Sequence, residues 1–527
     1  MRGRHRVRDM GRVLTPIDGS GRSSGSFAVR GLACLVFALT AAGCASINND
    51  PINKPLEALA QQEASAAGRE AETHFDDTVI ALAFSGGGMR AAAFSHGVLT
   101  AMAETNIRTR SGPVSLIDRV DIISGVSGGA VPAAYFGLKK RAALADFRER
   151  FLLRNAEESL STDVNITNLS RGFSGGINDS TQFPRWLDAN LFNGATFADM
   201  SATQRPRVSI NASDIYNRTP FLFGRGAFGA LCSDFSQYPV SLAVAASAAV
   251  PVFFAPVVIQ NFSDKCPHPL PEWVERVRSN PDAPPMLRQY ADAIVRYRNG
   301  DVKYVKLLDG GLVDNYGLAG FTISRLLSNT AHGPLSAREG VKLRRVMFMV
   351  VDAGRQPSGA WSKTVAGPSG VDLIMATADT ATGSSAAQSY TAFSEMMNDW
   401  QAKLVAWRCR LSPTERARLG AGPGWNCRDV KFYVSRIGFE QLGQERAAQL
   451  DAVETRFKLP VAQVDMVVAA GRDALNANTK FRAFVRSLDG SALSPAAPRR
   501  PGRQGVPVAE DTPDDFPQEA TALAPRQ

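Results

Sequence analysis

The sequence predicts an α/β fold, a three-layer α/β/α sandwich around a mostly parallel central sheet. Three observations carry this. Short apolar runs recur from about Asp76 onward. Several of them end in a glycine turn, as buried strands do. Each is followed by a stretch with helical apolar spacing, and strands alternating with helices are the mark of crossover units.

In chain order, the predicted strands are 78–84, 119–124, 207–211, 303–308, 345–352 and 430–436. Each is a run of mainly Val, Ile, Leu, Phe, Tyr or Met, short enough for a strand and too short for a helix. The predicted helices are 90–104, 130–141, 241–249, 317–328 and roughly 375–407. The stretch 441–489 also reads as helical, with Val461-Ala-Gln-Val-Asp-Met-Val-Val-Ala469 at helical apolar spacing. The chain divides into residues 1–43, a targeting segment; 44–75, an Ala-, Gln- and Glu-rich tether; 76–490, the folded domain with a helical end; and 491–527, a Pro-, Ala- and charge-rich tail expected to be disordered.

The chain has 527 residues, with 44% hydrophobic and 21% charged residues and a formal charge of +9. That charge is unevenly placed. Seven arginines and two aspartates lie in residues 1–43, so most of the excess sits there. The folded part carries no basic footprint of the kind a nucleic acid needs. The apolar run Leu32–Ala42 follows Arg30 and is too short to span a bilayer. It has signal-peptide proportions and leads into Ala41-Ala42-Gly43-Cys44, which resembles a bacterial lipobox. Cys44 is therefore the expected lipidation site. The protein is expected in the cell envelope, as an outer-membrane-anchored lipoprotein facing the periplasm or, alternatively, as a secreted protein. Export permits disulfides. Cys232–Cys266 and Cys409–Cys427 are the sequence-local pairs. The chain has no CxxC and no clustered His/Cys set, which leaves no zinc site.

Two segments match G-x-S-x-G, a pattern that places a serine on a sharp strand-to-helix turn. They are Gly125-Val-Ser127-Gly-Gly129 and Gly172-Phe-Ser174-Gly-Gly176. Ser127 follows an apolar strand and precedes the helical Ala130-Val-Pro-Ala-Ala-Tyr-Phe136. Ser174 has loop-like sequence on both sides, so Ser127 is the candidate nucleophile.

An earlier turn, Ser85-Gly86-Gly87-Gly88-Met89-Arg90, follows the first strand. Gly86–Ala91 also fits the dinucleotide pattern G-x-G-x-x-[G/A], but that reading needs a strand-end acid about 20 residues on. The nearest acid, Glu104, falls in a helical stretch. No Gly-Lys-[Ser/Thr] follows, which excludes a P-loop. Successive glycine N–H groups at a helix start suit an anion, and with a serine turn some 40 residues later (roughly the spacing to Ser127) that anion is a tetrahedral oxyanion. Arg90 either stabilises this turn or is a solvated helix residue.

A serine hydroxyl needs a base. Beyond residue 43 the histidines are His74, His96, His268 and His332. The order Ser127, Asp309, His332 matches an α/β-hydrolase triad. Asp309-Gly310-Gly311, at the end of the strand 303–308, offers a carboxylate as base without a histidine. Parallel strands deliver their C-terminal ends to one edge, which would bring Asp309 to Ser127. On the residues alone Asp309 is the stronger candidate, because it sits on a third glycine turn, and His332 stays as the alternative.

Ser85-Gly-Gly-Gly-Met-Arg90, Gly125-Val-Ser-Gly-Gly129 and Asp309-Gly-Gly311 resemble, in order, the three motifs of patatin-like phospholipases. Ala245-Ala-Ser-Ala-Ala-Val-Pro251 resembles that family's small-residue helix and following proline. Ala91 departs from the glycine usual in the family. The resemblance spans about 76–360. It implies a patatin-like fold and a Ser–Asp dyad: Ser127 as nucleophile, Asp309 as base, and Gly86, Gly87 and Gly88 as the oxyanion hole. It implies acyl esters of glycerolipids as substrates, with no cofactor and no metal. The membrane would be reached through the lipid anchor. The alternatives are a triad esterase using His332 and a non-catalytic envelope lipoprotein.

Overall fold

A computed structural model describes residues 47–57, 77–109, 112–158, 160–161, 172, 175–201, 205–265, 269–356, 360–368 and 370–489. The signal segment, Cys44, most of the tether, His74, Ser174, Cys266, His268 and the C-terminal tail lie outside the described residues.

The strands are β1 (Thr78–Phe84), β2 (Asn106–Thr109), β3 (Gly112–Ser115), β4 (Ile122–Val126), β5 (Arg207–Asp214), β6 (Thr219–Phe223), β7 (Val257–Gln260), β8 (Tyr304–Leu308), β9 (Arg345–Val351) and β10 (Lys431–Ile437). The longer helices are α1 (Gly88–Glu104), α2 (Ala130–Lys139), α3 (Val240–Ser247), α4 (Glu272–Ser279), α5 (Pro285–Arg298), α6 (Ala319–Leu327), α7 (Gly370–Arg410), α8 (Gln444–Asp451), α9 (Val461–Ala477) and α10 (Thr479–Asp489). All six expected strands are present. The second begins later than expected, because Leu116–Arg119 winds into a 3-10 turn.

The main sheet runs β10-β9-β1-β4-β5-β8-β7, with β6 also on β5. From β10 to β5 all pairings are parallel. The three pairings beyond β5 are antiparallel. Side chains alternate across the sheet with period two. Ile80, Leu82 and Phe84 of β1 and Met347, Met349 and Val351 of β9 join one core, with Phe94 of α1 and Val467 of α9. Val79, Ala81 and Ala83 join a second core with Val346, Phe348 and Val350, against Phe393, Trp400 and Leu404 of α7. Two cores on two faces make the three layers. Phe183, Trp186, Leu191 and Phe192 are all buried in the first core.

The helical end is divided by Pro460 and Asn478, whose Oδ1 accepts the N–H of Phe481 at the start of α10. Helix α9 crosses α1 at two glycines. A Cβ on Gly97 would lie 2.0 Å from Val468 O, and one on Gly471 would lie 2.2 Å from Phe94 O. The C-terminal helices thus hold α1, whose first turn is the glycine loop. At the far edge of the sheet, Cys409 and Cys427 are joined by a disulfide. Beside it the fully buried Arg408 guanidinium binds Leu343 O, Asn426 O and Asp429. Closing a loop of this length is worth about 3 kcal/mol. Cys409→Ser/Cys427→Ser should therefore lower the melting temperature without changing chemistry at the opposite edge. Thermal unfolding with and without reductant checks this.

Candidate active site

Strand β4 ends at Val126, level with Asn211 of β5. Ser127 follows with φ 51°, a left-handed conformation unusual for a residue with a Cβ. Its N–H donates to Ser247 Oγ at 2.8 Å, and Ser247 Oγ donates to Asn211 O at 2.6 Å. The bend is thus held from the last turn of α3. Glycines surround it because backbone does. A Cβ on Gly128 would lie 2.0 Å from Gly88 O, and one on Gly129 would lie 2.5 Å from Ser85 O. The serine turn and the first glycine turn are packed directly on each other.

Asp309 arrives differently from the parallel-edge expectation. Strand β8 is antiparallel to β5, with Leu308 opposite Ser213. Since β6 occupies the other edge of β5, β8 lies on the same edge as β4 and runs toward it. The two strands meet head-on, and Ser127 and Asp309 are the residues at the gap. Ser127 Oγ donates to Asp309 Oδ2 at 2.6 Å. Asp309 Oδ1 accepts the N–H of Gly311 at 2.8 Å, while Asp309 N donates to Ala249 O. Ser127 is 5% exposed and Asp309 8%. Burial pushes the Asp309 carboxyl up to about 6, against the opposing pull of its bonds from Ser127 and Gly311.

The first glycine turn is divided in its use. Gly86 N–H is bonded to both the main-chain O and Oδ1 of Asn315, each at 3.2 Å. Gly86 therefore leaves the expected donor set. Its N–H ties this turn to the segment after Asp309. Met89 N–H is taken by Arg456 O at 2.7 Å. The N–H groups of Gly87 and Gly88 have no acceptor among the described residues. Gly87 (φ 135°) and Gly88 (φ 59°) take backbone shapes that favour glycine. These two N–H groups lie at the start of a 17-residue helix, on the turn packed against the serine bend. Arg90 is buried and structural: it donates to Ala353 O and Val453 O, pinning the turn to the end of β9 and to the C-terminal segment. Burial lowers it to about 10, with nearby Arg355 adding to the fall.

The two described histidines, His96 and His332, lie elsewhere. His332 Nδ1 is 2.8 Å from Leu335 O, and its ring packs on Trp407. His96 is buried against Phe147, and burial pushes it down to about 4. Asp352, at the end of β9, accepts from Tyr316 and Arg436 and is structural. Cys232 is disulfide-bonded. Ser247, Asn211, Asn315 and Arg456 were not legible as site residues. Ser247 lies within the small-residue stretch Ala245–Pro251, and the others carry no local signal.

Residues 82–322 match the family model described as patatin-like phospholipase. Among solved structures, human GIVD cytosolic phospholipase A2 is similar at 12% identity and TM-score 0.39, over 81% of this chain and 65% of that one. VipD from Legionella pneumophila is similar at 13% identity and TM-score 0.30, over 78% of this chain and 67% of that one. The chain thus spans somewhat less than two thirds of the human protein. No curated protein matches it. The matched span, somewhat under half of the chain, is similar to that family and contains all three glycine turns and the Ser127–Asp309 pair.

Proposed function

We propose that the chain is an exported lipid acyl hydrolase that cleaves carboxylic ester bonds of glycerolipids, phospholipids included, through a Ser127–Asp309 dyad. The observation that carries this is the 2.6 Å bond from Ser127 Oγ to Asp309 Oδ2, made at a strained serine turn with no histidine between them. Ser127 Oγ attacks the acyl carbonyl as its proton passes to Asp309. The oxyanion is held by Gly87 and Gly88 N–H, where preorganised donors and a helix start favour negative charge. Asp309 returns the proton to the leaving alcohol, giving an acyl-enzyme. It then takes a proton from water as the hydroxide attacks the acyl carbonyl, and returns that proton to Ser127 Oγ as the bond to the acyl carbon breaks and the acid leaves. A carboxylate is ordinarily a weak base, and burial moves Asp309 toward the working range.

Export and lipidation at Cys44 remain part of this proposal. The disulfide Cys409–Cys427 supports an oxidising compartment. No helix among the described residues is long and apolar enough to cross a membrane. The test is a fluorophosphonate probe together with a panel of phospholipid and neutral acyl esters. Labelling should be abolished by Ser127→Ala and retained by His332→Ala, and hydrolysis should follow labelling. Unlabelled, well-folded protein would favour a non-catalytic role, and loss of activity in His332→Ala would favour the triad.

A further inference from the structure

The C-terminal edge of the parallel strands, where Ser127 sits, carries two apolar projections that no fold contact requires. The first is the hairpin tip between β5 and β6. Strand β5 runs beyond the end of β4, and the tip displays Ile215 and Tyr216, 42% and 63% exposed. The tip is rigid. The fully buried Asp214 accepts from Tyr216 N, Asn217 N, Asn217 Nδ2 and Tyr297 Oη, and Arg296 holds Asn217 Oδ1. A buried carboxylate with four donors is an expensive way to display two apolar side chains unless they meet something.

The second is the beginning of α7. This helix runs from Arg408, at the far edge, to Ser385, whose Oγ donates to Val313 O at 2.8 Å just after Asp309. It then continues for fifteen more residues toward its start at Gly370, about 22 Å at the rise of an α-helix. From Leu373 to Ser385 none of the described side chains is buried; burial begins at Ala386. Leu373 and Ile374 are exposed there, and so are Trp361 and Val365 in the connection from β9.

The charges beside the hairpin tip are mainly cationic. Arg218 ends the tip. Lys303 and Lys306 lie within 5.6 Å of the Tyr304 ring, on the strand whose Lys306 O accepts Ile215 N. Lys363 follows Trp361. Across 215–218, 301–306 and 360–385 there are four cations and three carboxylates, Asp301, Asp372 and Asp379, so the cationic excess lies at the hairpin tip. Aromatic and aliphatic tips flanked by Lys and Arg match an anionic bilayer surface.

We infer that this edge docks on a lipid bilayer, with Ile215 and Tyr216 and, from the second projection, Trp361, Val365, Leu373 and Ile374 entering the interface. The inference rests on the acyl-ester reading for its purpose, while the contact is separable from it. The test uses the mature chain from residue 45, which has neither the apolar signal run nor Cys44, and vesicles of phosphatidylglycerol and phosphatidylcholine. The parent should co-sediment. Ile215→Ser/Tyr216→Ser and Leu373→Asp/Ile374→Asp should each reduce the bound fraction about tenfold or more, since each removes buried apolar area. Turnover of soluble p-nitrophenyl butyrate should be unchanged, and hydrolysis of vesicle lipid should fall with binding. Absence of vesicle binding, binding indifferent to both pairs, or loss of a dimer in the variants would overturn it. Vesicle binding lost in the variants, from a protein that hydrolyses no ester, would uphold the docking and sink the proposed activity.

Discussion

Asp309→Asn is expected to lower ester hydrolysis by roughly 10⁴-fold or more and, at pH 8, to raise the melting temperature. The first effect follows because an amide cannot take the Ser127 proton. The second follows from linkage. Burial raises the folded carboxyl from 3.8 to about 6. Between those values the folded state keeps a proton that the unfolded state releases, so stability falls as pH rises through the window. Above pH 6 the penalty is full, about 3 kcal/mol at 1.36 kcal/mol per pH unit. Asparagine avoids it and can still accept the Gly311 N–H bond. In the parent, kcat/KM should fall as pH drops below about 6, because the base is then protonated. Calorimetry at pH 5 and pH 8 with a pH–rate profile reads both effects. Turnover retained by Asp309→Asn would remove Asp309 as base. No gain in melting temperature at pH 8 would show that its carboxylate is better solvated than its burial implies.

Gly128→Ala should cost about 3 kcal/mol or more, the upper range for overpacking, and abolish activity in whatever fraction folds. The added Cβ would stand 2.0 Å from Gly88 O and 2.7 Å from Gly88 Cα, both backbone atoms of the first glycine turn. No rotamer change relieves such a contact, so the two turns must move apart. That displaces Ser127 from the Gly87 and Gly88 donors, and small misplacements are costly in rate. Gly226→Ala is the matched control. Gly226 lies in a short helix with nothing within 4 Å of an added Cβ, and alanine there should be neutral or stabilise by up to about 1 kcal/mol. Urea unfolding of both variants separates the contact from a general intolerance of alanine. A Gly128→Ala protein as stable and active as the parent would show that the turns are not in contact.

Much of the fold could be read along the chain because its signals are local. The runs of β1 and β9 are buried on both faces, which leaves them continuously apolar, as strands inside a parallel sheet must be. The strands outside that pattern were not legible. Thr219–Phe223 is a short hairpin return on β5, and Val257–Gln260 is a short antiparallel addition whose partner lies more than forty residues on. The helices Glu272–Ser279 and Pro285–Arg298 were not anticipated either, although each has a strong amphipathic face, with Val274 and Val277 and with Leu287, Tyr290 and Ile294 buried.

The same division runs through the site. Ser127, Asp309 and the glycine turns are recognisable from local residue order, because a serine bend and an anion-binding loop each need glycine at set positions. How they meet is not local. Asp309 reaches Ser127 because β8 runs antiparallel to β5 and meets β4 end to end, a matter of strand pairing across nearly a hundred residues. The donor set depends on Asn315, which takes Gly86 N–H from 229 residues away. The base strength of Asp309 comes from burial, a property of everything packed around it. Residue order names the groups that can do this chemistry; strand direction, hydrogen-bond competition and exclusion of water are collective, and only the packed chain decides them.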